Sequence, residues 1–269
     1  MLKIKLLIIT FLLGISSTFF AKSEEIKIAI IIDDIGAKAS DAQAFSLSRK
    51  VTFAILPHTE FSTDFSYRAA RQNREVMLHM PMESLNGEKL GDKPLLSTMY
   101  PNQIKQTLSE ALNTVPHAVG INNHMGSKLT QMTLPMRSVM ELLAQTNLYF
   151  IDSRTTRYTK AGLIAGQFGV HSATRHVFLD HVQTPEFLAQ QVKQLVRKAK
   201  QEGKAIGIAH PYPSTLAYLP KELEKLPSNV TLVTVSELLQ ETNKFRISPA
   251  LANQSEVKEL ISASISPQE

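Results

Sequence analysis

IAIIIDDIG, residues 28–36, is a fully apolar run that ends in two adjacent carboxylates, Asp33 and Asp34, followed by Ile35 and Gly36. An unbroken run of β-branched residues reads as a strand buried on both faces, as in a parallel sheet covered by helices. Successive side chains on a strand point to opposite faces, so two acids at its end cannot both extend the core. In α/β folds ligands bind at the carboxyl ends of the strands, which is where these acids sit. Taken alone, D-D-x-G also suits a turn that closes a strand. The rest of the chain has to decide between the two.

Working outward, further strand-like runs appear at 51–56, 75–80, 118–122, 148–151, 176–180, 204–209 and 230–235, which with 26–32 makes eight. Helical patterns fall between them. Ser40-Asp41 can cap one helix, Pro101 suits the first turn of the next, and Thr184-Pro185-Glu186 opens a long amphipathic helix ended by Gly203. Strands alternating with helices imply a parallel sheet, and a barrel is its economical closure. The fold expected is therefore α/β, an irregular (β/α)7-8 barrel over residues 24–240, with no linker to divide it. Residues 81–100, rich in turn formers, read as a long βα loop of the kind that serves function.

What ends each strand carries the chemistry. The run at 26–32 leads to Asp33-Asp34, the second to His58, the third to His79, the fourth to Asn122-Asn123-His124. The later ones lead to Asp152-Ser153-Arg154, Asp180-His181 and His210-Pro211. In a parallel barrel these ends meet on one rim. Any single strand-end histidine reads first as a packing or capping residue; their convergence favours a polar pocket able to hold a metal. Asp and His without Cys are the donors of a zinc-type catalytic site, with about three protein ligands and one open position. Hydrolysis at such a site also needs a general base and an acid for the leaving group. His117 and His171 read as surface or supporting residues, and His176 as a structural residue opening a strand.

Composition bounds the setting. The chain has 269 residues, 43% of them hydrophobic, enough for a core of barrel size. Lys3 and Lys5 precede an apolar stretch from Leu6 to Phe20, and Ala21-Lys22-Ser23 offers a cleavage site after Ala21 or Ser23, so residues 1–21 read as a secretory signal peptide. An uncleaved anchor is the alternative, but the apolar run is short for a span. The chain has no cysteine, which removes disulfides, thiolate metal sites and a cysteine nucleophile, and suits the bacterial periplasm. Formal charge falls from +5 to +3 without Lys3 and Lys5, and it is dispersed, which argues against nucleic acid as a partner. Residues 241–269 read as an appended, poorly ordered polar tail with a helical pattern over 251–262.

IIDDIG, LHMPMES, GINNHMGS, FIDSRTT and GIAHPYP, in this order, resemble the signatures of the divergent polysaccharide deacetylases, exported proteins distantly similar to the NodB-type carbohydrate deacetylases. The resemblance spans about residues 26–240. It implies an irregular (β/α) barrel that removes acetyl groups from sugar polymers with a divalent metal, zinc being the expected ion. By this resemblance Asp33 is the base, Asp34 a metal ligand and His210 the acid. The NodB-type H-x-x-x-H is incomplete here: His79 is present but Glu83 stands four residues on, which leaves His124 as the replacement ligand. The arginine-proline motif is absent as well. On this reading Asp152 and Arg154 orient His210 or Asp33, His58 lines the substrate cleft, and Glu83 and Asp180 support the site. The implied partner is a polysaccharide or peptidoglycan fragment. Loss of the H-x-x-x-H favours an alternative, a non-catalytic envelope protein that keeps the barrel to bind glycan or a cell-envelope protein partner.

Overall fold

Parity along the first strand sets the architecture. In β1 (Ile26–Ile35), Ile28, Ile30 and Ile32 belong to one buried cluster and Ala29 and Ile31 to another. The strand is thus apolar on both faces because each face has its own core. The computed structural model describes residues 26–240; the expected signal peptide at 1–21 and the polar tail at 241–269 lie outside the described residues.

β1 is the hub of an all-parallel sheet. β8 (Lys204–Ala209) runs along one edge of it, while β9 (Val230–Val233) and β2 (Thr52–Ile55) share the other, β9 beside Ile26–Ala29 and β2 beside Ile31–Ile35. From β2 the sheet continues through β3 (Val76–Met82), β4 (Ala118–Met125), β5 (Tyr149–Asp152) and β6 (Ser172–Thr174), and β7 (Val177–Phe178) lies on the far side of β8. The curl is bridged by Arg175 and His176. Arg175 N–H donates to Asp152 O at 2.9 Å on the β5 side, and His176 N–H donates to Ile206 O at 2.9 Å on the β8 side. The result is the irregular (β/α) barrel expected from the sequence. One expectation needs correcting: of the run at 176–180 only Val177–Phe178 is strand, and a further short strand, Ser172–Thr174, precedes it. His176 uses both its backbone N–H and its Nδ1, which accepts from Ile206 N–H at 3.0 Å, to bond a single residue of β8, and with Arg175 it separates β6, which pairs with β5, from β7, which pairs with β8.

The outer cluster packs the sheet against α1 (Ser62–Arg71), α2 (Pro101–Thr114), α3 (Thr133–Thr146), α4 (Ala161–Gln167), α5 (Pro185–Glu202) and α6 (Pro213–Leu223). α5 begins where expected, with Thr184 Oγ1 accepting from Phe187 N–H at 3.3 Å, and ends at left-handed Gly203. Ser40-Asp41, by contrast, lies in a 3-10 segment, Ala39–Ser46, where Asp41 Oδ2 accepts from Gly36 N–H and Lys38 N–H and ties down the turn after β1. The inner cluster holds Ala29, Ile31, Ala54, Met77, Ile151, Ile206 and Ile208, closed from below by Val235, Leu238 and Leu239 of α7 (Val235–Gln240). Burial of each large apolar side chain in that plug contributes about 1.5–3 kcal/mol. Tyr149 fits inside only because Gly120 has no side chain: a Cβ there would stand 2.1 Å from the ring.

The inner face is apolar in its lower half and polar above. Asp33 follows Ala29 and Ile31, His79 follows Met77, Asn122 and His124 follow Gly120, and His210 follows Ile206 and Ile208, all at spacings of two. The rim expected to carry the chemistry is built by strand parity.

Candidate metal centre

Four non-glycine residues at the rim take left-handed backbone conformations: Asp34 (φ 59°), His58 (φ 58°), Met125 (φ 54°) and Arg154 (φ 49°). Such conformations cost of order 1–3 kcal/mol each and cluster at functional sites. At Asp34 the kink has a specific effect. An extended chain would send Asp33 and Asp34 to opposite faces; the left-handed turn instead brings both to His79. His79 Nε2 lies 3.3 Å from Asp34 Oδ1 and 3.6 Å from Asp33 Oδ2.

Asp34, His79 and His124 form a triangle. His124 Nδ1 is 3.1 Å from Asp34 Oδ1 and 3.1 Å from His79 Nε2. These three are the ligand-type groups that converge among the described residues, and His210 is not one of them. The tautomer of His79 follows from its neighbour. Asn122 Nδ2 donates to Asp33 Oδ1 at 2.8 Å, so its Oδ1 faces His79 Nδ1 at 2.7 Å and must accept from it. The proton of neutral His79 therefore sits on Nδ1, and the Nε2 lone pair points at Asp34. Asp34 Oδ1 is a buried acceptor without a hydrogen-bond donor. With the proton of neutral His124 on Nε2, all three facing atoms are acceptors, an arrangement that a cation between them satisfies. Tetrahedral zinc bonds of about 2.0–2.1 Å have edges of about 3.3–3.4 Å. The three observed edges, 3.1, 3.1 and 3.3 Å, fit such a face.

The electrostatics agree. Burial pushes the Asp34 carboxyl up, but the adjacent His124 and His79 more than reverse this and hold it far below the usual carboxylate range. Burial lowers His79, and the charges of Asp33 and Asp34 outweigh it and raise it above its ordinary value. Asp33 moves the other way: it is 3% exposed, and burial raises its pKa despite His79, His210 and the Asn122 amide.

Across the site His210 is held by Asp180. Asp180 Oδ1 lies 2.9 Å from His210 Nδ1, and Oδ2 accepts from His210 N–H at 2.6 Å and from Thr215 Oγ1 at 2.8 Å. Burial lowers the imidazole, but this bond and the charges of Asp33, Asp180 and Asp34 raise its pKa from 6.5 to about 9. Nε2 is left as the free ring nitrogen of a histidine cationic at neutral pH.

Other residues singled out in the sequence lie elsewhere. Asp180, not Asp152 or Arg154, orients His210. Asp152 accepts from Arg154 N–H and Thr159 Oγ1 and so shapes the turn after β5. Glu83 uses both carboxylate oxygens outside the triangle, one on Lys128 Nζ at 2.7 Å and one on Ser97 N–H at 2.6 Å, which pins the 83–100 loop to the turn after β4. His58 sits in the turn after β2, where its N–H donates to Thr114 Oγ1. Burial and the charge of Lys93 push its pKa down. Sequence reasoning missed Asn122, the buried amide that links His79 to Asp33. Its place at even spacing between Gly120 and His124 was the available signal.

A model of the family described as divergent polysaccharide deacetylase matches residues 30–239 of this chain. Among curated proteins, the uncharacterized protein YibQ of Escherichia coli K12 is 36% identical over 231 residues, 86% of this chain and 71% of that one. An uncharacterized protein of Haemophilus influenzae is 37% identical over 224 residues, 83% of this chain and 79% of that one. Among solved structures, an uncharacterized protein of Agrobacterium tumefaciens C58 superposes with a TM-score of 0.77 at 21% identity, over 81% of this chain and 91% of the other. The lactam utilization protein of Thermus thermophilus does so with a TM-score of 0.55 at 12% identity, over 77% and 99%. Both structural likenesses are likenesses of fold.

Proposed function

This chain belongs to the divergent polysaccharide deacetylase family, and from that premise we propose that it is an exported, periplasmic, metal-dependent hydrolase that removes acetyl groups from an envelope polysaccharide, peptidoglycan amino sugars being the nearest polymer. The observation that carries this reading is the pairing of the Asp34–His79–His124 triangle with an acid and a base that are each positioned by a partner of their own. The lost H-x-x-x-H was the feature in favour of a non-catalytic barrel. His124 approaching His79 to 3.1 Å supports the catalytic reading instead.

In this reading Asp34, His79 and His124 hold the metal, which when bound supplies Lewis-acid polarisation and charge stabilisation at the acetyl carbonyl. The protein's own groups move the protons. Asp33 Oδ1 is fixed by the Asn122 amide, which leaves Oδ2 to take the proton of the attacking water. A raised pKa brings this base closer to neutrality and makes it the stronger acceptor. Water oxygen bonds to the acetyl carbon, the bond to the sugar nitrogen or oxygen breaks, and His210 Nε2 protonates the departing atom. Asp180 keeps His210 protonated for that step and fixes its ring. The products are acetate and the free amine or hydroxyl of the sugar. Acetate release from acetylated peptidoglycan fragments by the zinc-loaded protein tests the proposal. Release that disappears in Asp33→Asn supports it, and no release from any acetylated glycan contradicts it.

A further inference from the structure

A cleft of about 420 Å³ opens where β6 gives way to β7. Arg154, Arg157, Arg175 and Lys198 line it, against two carboxylates, Asp152 and Glu202. Both carboxylates are engaged: Asp152 by Arg154 N–H and Thr159 Oγ1, and Glu202 by His176 Nε2 at 3.2 Å, with Lys198 only at 3.8 Å. Among the described residues no carboxylate reaches ion-pair distance of the three arginines. Arg175 is the decisive member. It is partly buried and stacked 3.6 Å over the Phe178 ring, and its Nε and Nη2 donate to the carbonyls of Ser153 and Arg154, which fixes the guanidinium without neutralising it. Burial and the neighbouring charge of Arg154 depress its pKa to about 10, and the charges of Asp152 and Asp33 offset this only in part. Arg157 spends one donor on Tyr158 Oη and is otherwise exposed.

A rigid guanidinium flanked by three further cations in a concave site matches the planar, bidentate recognition of oxyanions. The volume exceeds that of a simple ion and lies in the range of small-ligand pockets. We propose that this cleft binds an oxyanion carried on a sugar-sized body, a phosphate or a carboxylate. None of its lining residues belongs to the Asp34–His79–His124 triangle, and the proposal is independent of the deacetylase reading.

The test is calorimetric titration of the full chain at low ionic strength with glucose 1-phosphate, glucuronate, inorganic phosphate and glucose. Saturable binding of glucose 1-phosphate or glucuronate is expected, tighter than inorganic phosphate, with none for glucose; the stronger of the two names the anion. Arg157→Ala and Lys198→Ala, both on solvent-facing side chains, should each weaken binding about tenfold or more, the scale of one charge-assisted hydrogen bond. Lys225→Ala, the same change of charge on an exposed lysine just past α6, should leave it unaltered. Absence of binding by either sugar anion, or equal weakening by Lys225→Ala, would overturn the proposal.

Discussion

Replacing Asp180 by Asn isolates the acid half of the site. The carboxylate lies 2.9 Å from His210 Nδ1, and its hydrogen bond is the strongest of the influences that raise the imidazole pKa against burial, from 6.5 to about 9. Asn keeps the shape, and its carbonyl can still accept a hydrogen bond, but it carries no charge. Without the Asp180 charge, His210 loses its strongest raising influence and should titrate lower, between about 9 and its ordinary 6.5, with Asp33 and Asp34 still opposing burial. At pH 8 a group with a pKa of about 9 is about nine-tenths protonated, and one at 6.5 about 3%, so turnover should fall by up to about 30-fold. At pH 6 both forms are largely protonated, and the loss should be less than about twofold. The defect is therefore pH-dependent: the alkaline limb of acetate release should move from about 9 toward 6.5. Stability follows the same sign. The folded-state pKa is raised, so the stabilisation is complete below about pH 6.5 and fades as pH climbs through about 9. Imidazole NMR titration of the metal-free protein reads the shift whether or not substrate turns over. An Asp180→Asn protein with an unmoved His210 titration, or with the same loss at every pH, would refute the assignment.

Asp33→Asn should reduce acetate release about a hundred- to ten-thousand-fold while zinc still titrates normally, because Asp33 lies outside the three-ligand triangle. Asn122→Ala removes the group that fixes the His79 tautomer, and zinc affinity measured by chelator competition should drop about 10- to 100-fold. Zinc at a hundred times its Kd should stabilise the protein by about 2.7 kcal/mol in thermal unfolding. That gain should shrink as pH falls, because the raised pKa of His79 lets protons compete for Nε2. Gly120→Ala drives a Cβ to 2.1 Å from the Tyr149 ring and should cost about 1–3 kcal/mol or more in chemical denaturation, a loss that a smaller residue at position 149 relieves in the double variant.

The barrel was legible in the sequence because the parallel strands are apolar on both faces and end in Asp, Asn or His at regular places. Those endings also marked the rim, since parity alone carries Asp33, His79, His124 and His210 to the same side as the apolar plug. Three features escaped. The β6–β7 break turns on His176 using a side-chain nitrogen as a backbone surrogate, which no periodicity encodes. The meeting of Asp33 and Asp34 at one imidazole depends on a left-handed residue, and strict alternation argued against it. The partner of His210 was sought in Asp152, but the strand order puts β7 next to β8 and so sets Asp180 beside it. Asn122 shows the general difficulty: a buried amide has no charge and no motif of its own, and only its two contacts reveal its part in the site.

The central claim is that one divalent cation binds to Asp34, His79 and His124. Titration of the chelator-stripped full chain with zinc addresses it directly, compared across His79→Ala, His124→Ala and His210→Ala. A stoichiometry of one, abolished in the first two variants and retained in the third, is the predicted result. A His124→Ala protein that binds zinc as well as the parent, or a parent with no saturable site, would contradict it.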